Sequence, residues 1–192
     1  MYLRQSLIAA ATTMALVACG GGDSTAPADT PTATTPATST PSPLAPDFPN
    51  LNACITNNWI MGAEQVVKGL EAVGGGVNFT GTGSQTSVFS AGGRYSGTSA
   101  FTVNFTRGGT SGTSQYTGPA SGTWSVDGDR LTITRTSSSV IVTTTIGGVS
   151  TSVGSGVGSP STVKVISCTP ATLTYDQTLS SGTVVRIVLV AG

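Results

Sequence analysis

Gly122-Thr123-Trp124-Ser125-Val126-Asp127-Gly128-Asp129-Arg130-Leu131-Thr132-Ile133-Thr134 reads as two alternating runs either side of Asp127-Gly128. Leu131 and Ile133 alternate with Thr132 and Thr134, and successive side chains of a strand point to opposite faces, so the large residues share one face. Glycine reaches positive φ without steric cost and aspartate tolerates it. The dipeptide therefore predicts a tight turn, and the whole stretch a β-hairpin.

The same period of two recurs to either side. Phe101, Val103 and Phe105 alternate with Thr102, Asn104 and Thr106, as Leu173 and Tyr175 do with Thr172 and Thr174. Residues 137–146 and 150–157, joined by Gly147-Gly148, predict a second hairpin. Neither Gly147-Gly148 nor Gly108-Gly109 precedes the helix that a phosphate loop needs, so both read as turns. Short runs of Val, Ile, Thr, Phe and Tyr broken by Gly and Ser fit an antiparallel sandwich or barrel. One segment departs from the pattern: in Ala63 to Val73 the residues Val66, Val67, Leu70 and Val73 fall at helical spacing, and Gly74-Gly75-Gly76 ends the run.

Composition narrows the chemistry. The chain has eight Lys or Arg, eight Asp or Glu and no histidine. There is no basic field for nucleic acid, and neither Ser-His-Asp nor Cys-His catalysis is available. The expectation is a protein that is not an enzyme and takes no cofactor or metal. Carboxylates from Asn50 onward are Glu64, Glu71, Asp127, Asp129 and Asp176. Asp127 and Asp129 straddle the turn glycine and read as turn residues; Ca²⁺ would ask for about six or more oxygens, which the neighbourhood does not offer. Trp59, Trp124, Tyr95, Tyr116 and Tyr175 suit a packed core and equally the lining of a ligand cavity.

The N-terminal end has a different character. Met1 to Gln5 carries one positive charge, and the mostly apolar run from Ser6 to Val17 is too short to span a bilayer. Residues 1–18 read as a signal peptide. Leu16-Val17-Ala18-Cys19 resembles the lipobox of bacterial lipoproteins, and that resemblance implies a diacylglyceryl group on Cys19 and a mature chain starting there. An ordinary signal peptide with a chance cysteine is the alternative. Gly20 in place of aspartate implies, by the same resemblance, an outer-membrane lipid anchor in a cell with two membranes. Acyl chains contribute about 0.8 kcal/mol per buried methylene, so two or more hold a protein stably. Residues 19–49 are rich in Thr, Pro, Ala, Ser and Gly and read as a disordered, semi-extended tether of about 3.1 Å per residue. A Pro-rich recognition site is the alternative, but no basic residue stands beside the prolines.

With Cys19 acylated, Cys54 and Cys168 remain, and in an exported chain they most simply form a disulfide. A redox or metal pair finds no Cys-x-x-Cys and no histidine to complete it.

Taken together, Cys54 with Trp59, Phe79, Gly93-Arg94-Tyr95, the Gly122 to Leu131 hairpin, and Cys168 with Leu173-Thr174-Tyr175 are similar to bacterial lipocalin-like lipoproteins. Asn57-Asn58-Trp59 departs from the Gly-x-Trp of lipocalins. The resemblance implies an all-β fold, an antiparallel lipocalin-like β-barrel of about 8 to 10 strands over residues 50–192, with one short helix after the first strand. It implies a membrane-anchored protein that binds a small apolar ligand, with Trp59 packed on Arg186 at the closed end. Arg186 facing solvent is the alternative to that pair. A structural or adhesive cell-envelope module with no internal ligand is the alternative function; ligand-contacting residues and protein partners are not legible.

Overall fold

Strand β4 (Thr110–Asp127) organises the molecule because one of its edges serves two partners. Its first edge pairs throughout with β3 (Arg94–Arg107), from Arg107 opposite Thr110 to Arg94 opposite Thr123. On the second edge, residues 120–127 pair with β5 (Arg130–Ser138) and residues 112–117 with β6 (Val140–Ile146). The switch falls at Gly118 and Pro119. Gly118 has φ +131°, and a Cβ there would lie 2.4 Å from the Ser139 carbonyl oxygen. Pro119 has no N–H to give, and its carbonyl accepts the Ser139 N–H at 2.9 Å.

The computed structural model describes residues 50–192; the expected signal peptide, Cys19 and the tether lie outside the described residues. The remaining strands are β1 (Asn58–Gly62), β2 (Asn78–Ser90), β7 (Val149–Ser155), β8 (Ser161–Cys168), β9 (Thr172–Thr178) and β10 (Val184–Ala191). In the order β3-β2-β1-β10-β9-β8-β5-β4, closed by β3 on β4, eight antiparallel strands form a barrel. Strands β6 and β7 extend from β4 as a two-stranded wing.

Both predicted hairpins are present. Asp127 pairs with Arg130, so the loop is Gly128-Asp129, one residue later than the Asp127-Gly128 reading. Gly128 takes φ +57° and Asp129 stays at negative φ, as a glycine-first turn requires. Gly147 and Gly148, at φ +57° and +79°, join Ile146 to Val149. The wing's first strand begins at Val140, because residues 137 and 138 extend β5 along β4.

Among the described residues there are two helices where one was expected. A single turn, α1 (Leu51–Ile55), precedes β1 and buries Leu51 and Ile55 under the barrel. The predicted helix α2 (Ala63–Val73) buries Val67 and Leu70, while Val73 is left exposed at its end. It can lie close on β2 because Gly81 has no side chain: a Cβ there would be 2.9 Å from the Ala63 Cβ. Hydrophobic residues accordingly fall into two clusters. Trp59, Phe89, Tyr95, Trp124, Leu131, Val165, Leu173 and Ile187 belong to the one inside the barrel. In the other, α2 covers Phe101, Val103, Tyr116 and Val142 where β2, β3 and β4 run past the ring toward the wing.

The ring closes weakly at one place. Strands β1 and β10 share only two residue pairs, Trp59 with Ala191 and Ile60 with Val190, since the chain turns into α2 after Gly62. Buried Gln65 of α2 takes over, its Oε1 accepting the Val188 N–H at 3.2 Å. The disulfide between Cys54 and Cys168 supports the closed end. It ties α1 to the end of β8.

Replacing Cys54 and Cys168 by Ser should lower stability in urea titration by up to about 4.7 kcal/mol, the chain-entropy figure for a loop of this order, and reductant should have the same effect on the parent. Gln65→Leu should cost about 1–3 kcal/mol by stranding the Val188 N–H. It should also speed exchange of that amide; an unchanged rate would remove Gln65 from the seam.

Candidate functional site

Barrel closure sends alternate side chains inward, and here they change character along each strand. On β5 the inward series is Leu131, Ile133, Arg135; on β9 it is Leu173, Tyr175, Gln177; on β2, read from its far end, it is Phe89, Ser87, Gln85. Every series runs from apolar to polar. The apolar ends meet at the floor, where α1, Trp59 and Trp124 fill the space. Trp59 donates its indole N–H to the Ile55 carbonyl at 2.9 Å, and Trp124 donates to that of Ser90 at 3.1 Å. Phe89 packs edge-on against Trp124 with centroids 5.7 Å apart, and against Tyr95 at 5.4 Å.

Above this floor the inward residues no longer fill the ring. A cavity of about 160 Å³ remains, with Phe89, Leu131, Val163, Leu173 and Leu189 below. Gln85, Arg135, Ser159, Ser161 and Gln177 line its polar part. Ser87 is a small residue in the lining. Opposite it on β3, Gly97 makes way for the Tyr95 ring, since a Cβ there would come within 2.6 Å of the Tyr95 hydroxyl. Burial pushes the Tyr175 hydroxyl well above the ordinary phenol range, and the neighbouring Tyr95 phenol adds to the shift. The Tyr175 phenol thus stays protonated and can donate. The arrangement is suited to holding a molecule, with apolar surface at one end and N–H and O–H donors at the other.

Of the site residues read from the sequence, Cys54 and Cys168 are joined, whereas Cys19 lies outside the described residues. The expected packing of Arg186 on Trp59 is not formed. Trp59 is wholly buried inside, while Arg186 falls between inward Val185 and Ile187 and therefore points outward. There it donates two hydrogen bonds to Asp176 of β9, at 2.8 and 3.0 Å. The strand register sets Arg186 directly opposite Asp176, and so provides a partner that sequence order had concealed. Asp129, at the hairpin turn, faces Lys164 at 3.7 Å on the same outer surface. Asn57, in place of the lipocalin glycine, accepts the Asn58 N–H with its own side chain at 2.8 Å.

Arg135, Gln177, Gln85 and Ser87 were missed as site residues. The signal was available: Arg135 continues the alternation of Leu131 and Ile133, and Gln177 that of Leu173 and Tyr175. A polar residue in phase with buried neighbours is the mark of an unfilled interior. Among the described residues, no helix is long and apolar enough to cross a membrane, and no three His, Cys, Asp or Glu cluster as a metal site would require. Comparison with known protein families, with curated proteins and with solved structures finds none that matches the chain.

The Arg186–Asp176 pair should contribute little. Hydrogen bonds from Arg186 hold the Asp176 carboxyl below the usual carboxylate range against an opposing desolvation, with the charges of Arg186 and Lys164 adding. A depressed carboxyl stabilises above its unfolded pKa, and that contribution fades as pH falls through the folded one. Because the Arg186 side chain is 60% exposed, solvent screens most of it. Arg186→Leu should leave the thermal midpoint at neutral pH within the scatter of repeat measurements; a drop of many degrees would restore a structural role for the charge.

Proposed function

We propose that the protein is an exported, lipid-anchored barrel that holds a small apolar molecule in its interior, at the cell envelope. The cavity above the Phe89, Leu131 and Leu173 floor is the observation that carries this reading. Its volume of about 160 Å³ is close to that of an engineered apolar cavity that admits benzene, so the expected occupant is compact, not a long acyl chain. Anchoring rests on the sequence of residues 1–19, with Cys19 as the acylated residue and the tether setting the barrel off the outer membrane.

A second reading, a structural or adhesive envelope module, is favoured by the wing. Strand β7 pairs with β6 alone among the described residues, contains neither charge nor proline, and exposes Val149 and Val153. Such an edge can accept another strand.

Native mass spectrometry of the protein purified from its own host should reveal a small co-purifying mass, and saturating toluene should raise the thermal midpoint. Empty spectra with no toluene shift would favour the module. In cells given a fatty-acid probe, the parent should be labelled and a Cys19→Ser variant should not; equal labelling would contradict the anchor.

A further inference from the structure

Pairing of β3 with β4 closes the ring, whereas the outer edge of β7 (Val149–Ser155) meets no strand among the described residues. Strand register carries rows of apolar side chains across the sheet to this edge. One row runs through Phe101, Tyr116, Val142 and Val153. A second runs through Phe105, Gly112, Ile146 and Val149, with the Phe105 ring filling the space over Gly112. Helix α2 covers the first row at its inner end, and the cover thins outward: Val142 is 3% exposed, Val153 37% and Val149 69%. An apolar face thus runs out at an open strand.

The hairpin loop fixes which backbone groups of that strand are free. Gly147 and Gly148, both at positive φ, form a two-residue turn, and the pair flanking such a turn, here Ile146 and Val149, is hydrogen-bonded. Counting in twos, Thr151 and Val153 also direct their N–H and C=O groups to β6. Those of Ser150, Ser152 and Gly154 therefore face away from it.

We propose that β7 pairs antiparallel with β7 of a second copy of the chain, about a two-fold axis at Thr151. In that register Ser150 of one copy exchanges both backbone hydrogen bonds with Ser152 of the other, and symmetry repeats the exchange. Val149 then stands opposite Val153 of the second copy, also twice. These valine pairs are of the non-hydrogen-bonded kind, with Cα atoms about 4.5 Å apart and side chains at their closest. Each apolar row continues into the second copy, and the valines left half-covered at the edge become interior. A shift of two residues in either direction separates the valines. Nor does a like strand meet repulsion, because β7 contains no charged residue and no proline, the devices by which edges ordinarily refuse their own kind. An unrelated strand could use the same N–H and C=O groups but would not reproduce the valine match. The pairing is independent of whether the barrel holds a ligand.

An edge of seven residues is a small interface, so the dimer belongs to the weak, concentration-dependent class. Sedimentation equilibrium of the full-length protein should show a monomer at low concentration giving way to a dimer by about 1 mM, where even a Kd of about 100 µM leaves most chains paired. Ser152→Pro removes an N–H that faces away from β6, which an edge strand tolerates, and should weaken the dimer at least about tenfold because each copy loses a donor. Thr151→Cys tests the register without relying on the proline variant: the two thiols meet across the axis and should form an intermolecular disulfide on mild oxidation. Ser150→Cys should not, since its two copies lie beyond disulfide reach. A monomer throughout the concentration range would overturn the pairing, as would a dimer indifferent to Ser152→Pro or a complex of one copy with a different chain. Cross-linking of Ser150→Cys but not of Thr151→Cys would overturn the axis at Thr151.

Discussion

Closing eight antiparallel strands into a ring obliges every second side chain to point into one shared space, and the rest of this molecule follows from how that space is filled. The ring is complete on the side of β3 and β4, whose pairing runs through fourteen residues of β3. On the opposite side only two residue pairs join β1 to β10. Gln65 stands at this thin seam, and the Cys54–Cys168 disulfide ties α1 to the end of β8. One supplies a hydrogen-bond acceptor where the β1 backbone has turned away. The other fixes the short helix that plugs the floor.

Inside the ring, large apolar residues are concentrated at that floor. Trp59, Trp124, Phe89 and Leu131 are buried, and the two indole N–H groups both find backbone carbonyls. Further along the barrel the inward positions are held by Ser87, Ser161, Gln85 and Gln177, which are too small or too polar to continue the core. Polar residues at inward positions forgo hydrophobic stabilisation. They leave room and hydrogen-bonding capacity instead.

Much of this architecture was readable from local pattern. Period-two alternation around Trp124 and Leu131, the glycine pairs, and the helical spacing of Val66, Val67 and Leu70 depend on neighbours in sequence. All of them reappear in the fold. The Cys54–Cys168 pairing followed from counting. What escaped was decided by register. The partner of Arg186 is Asp176 only because β9 and β10 pair with those two residues opposite each other, so the resemblance to lipocalins pointed to Trp59 instead. The branching of β4, which makes ten strands out of an eight-stranded ring, depends on Gly118 and Pro119 meeting Ser139. The cavity-lining role of Arg135 and Gln177 was within reach of the alternation, had it been followed two residues further.

The claim on which the account turns is that the barrel is filled at its floor and vacant above it. Diffraction from crystals of the protein pressurised with xenon measures this without presuming any ligand. The account expects a xenon atom against Phe89, Leu131, Leu173 and Leu189. An interior packed continuously from Trp59 to Gln177, with no xenon in it, would contradict the account.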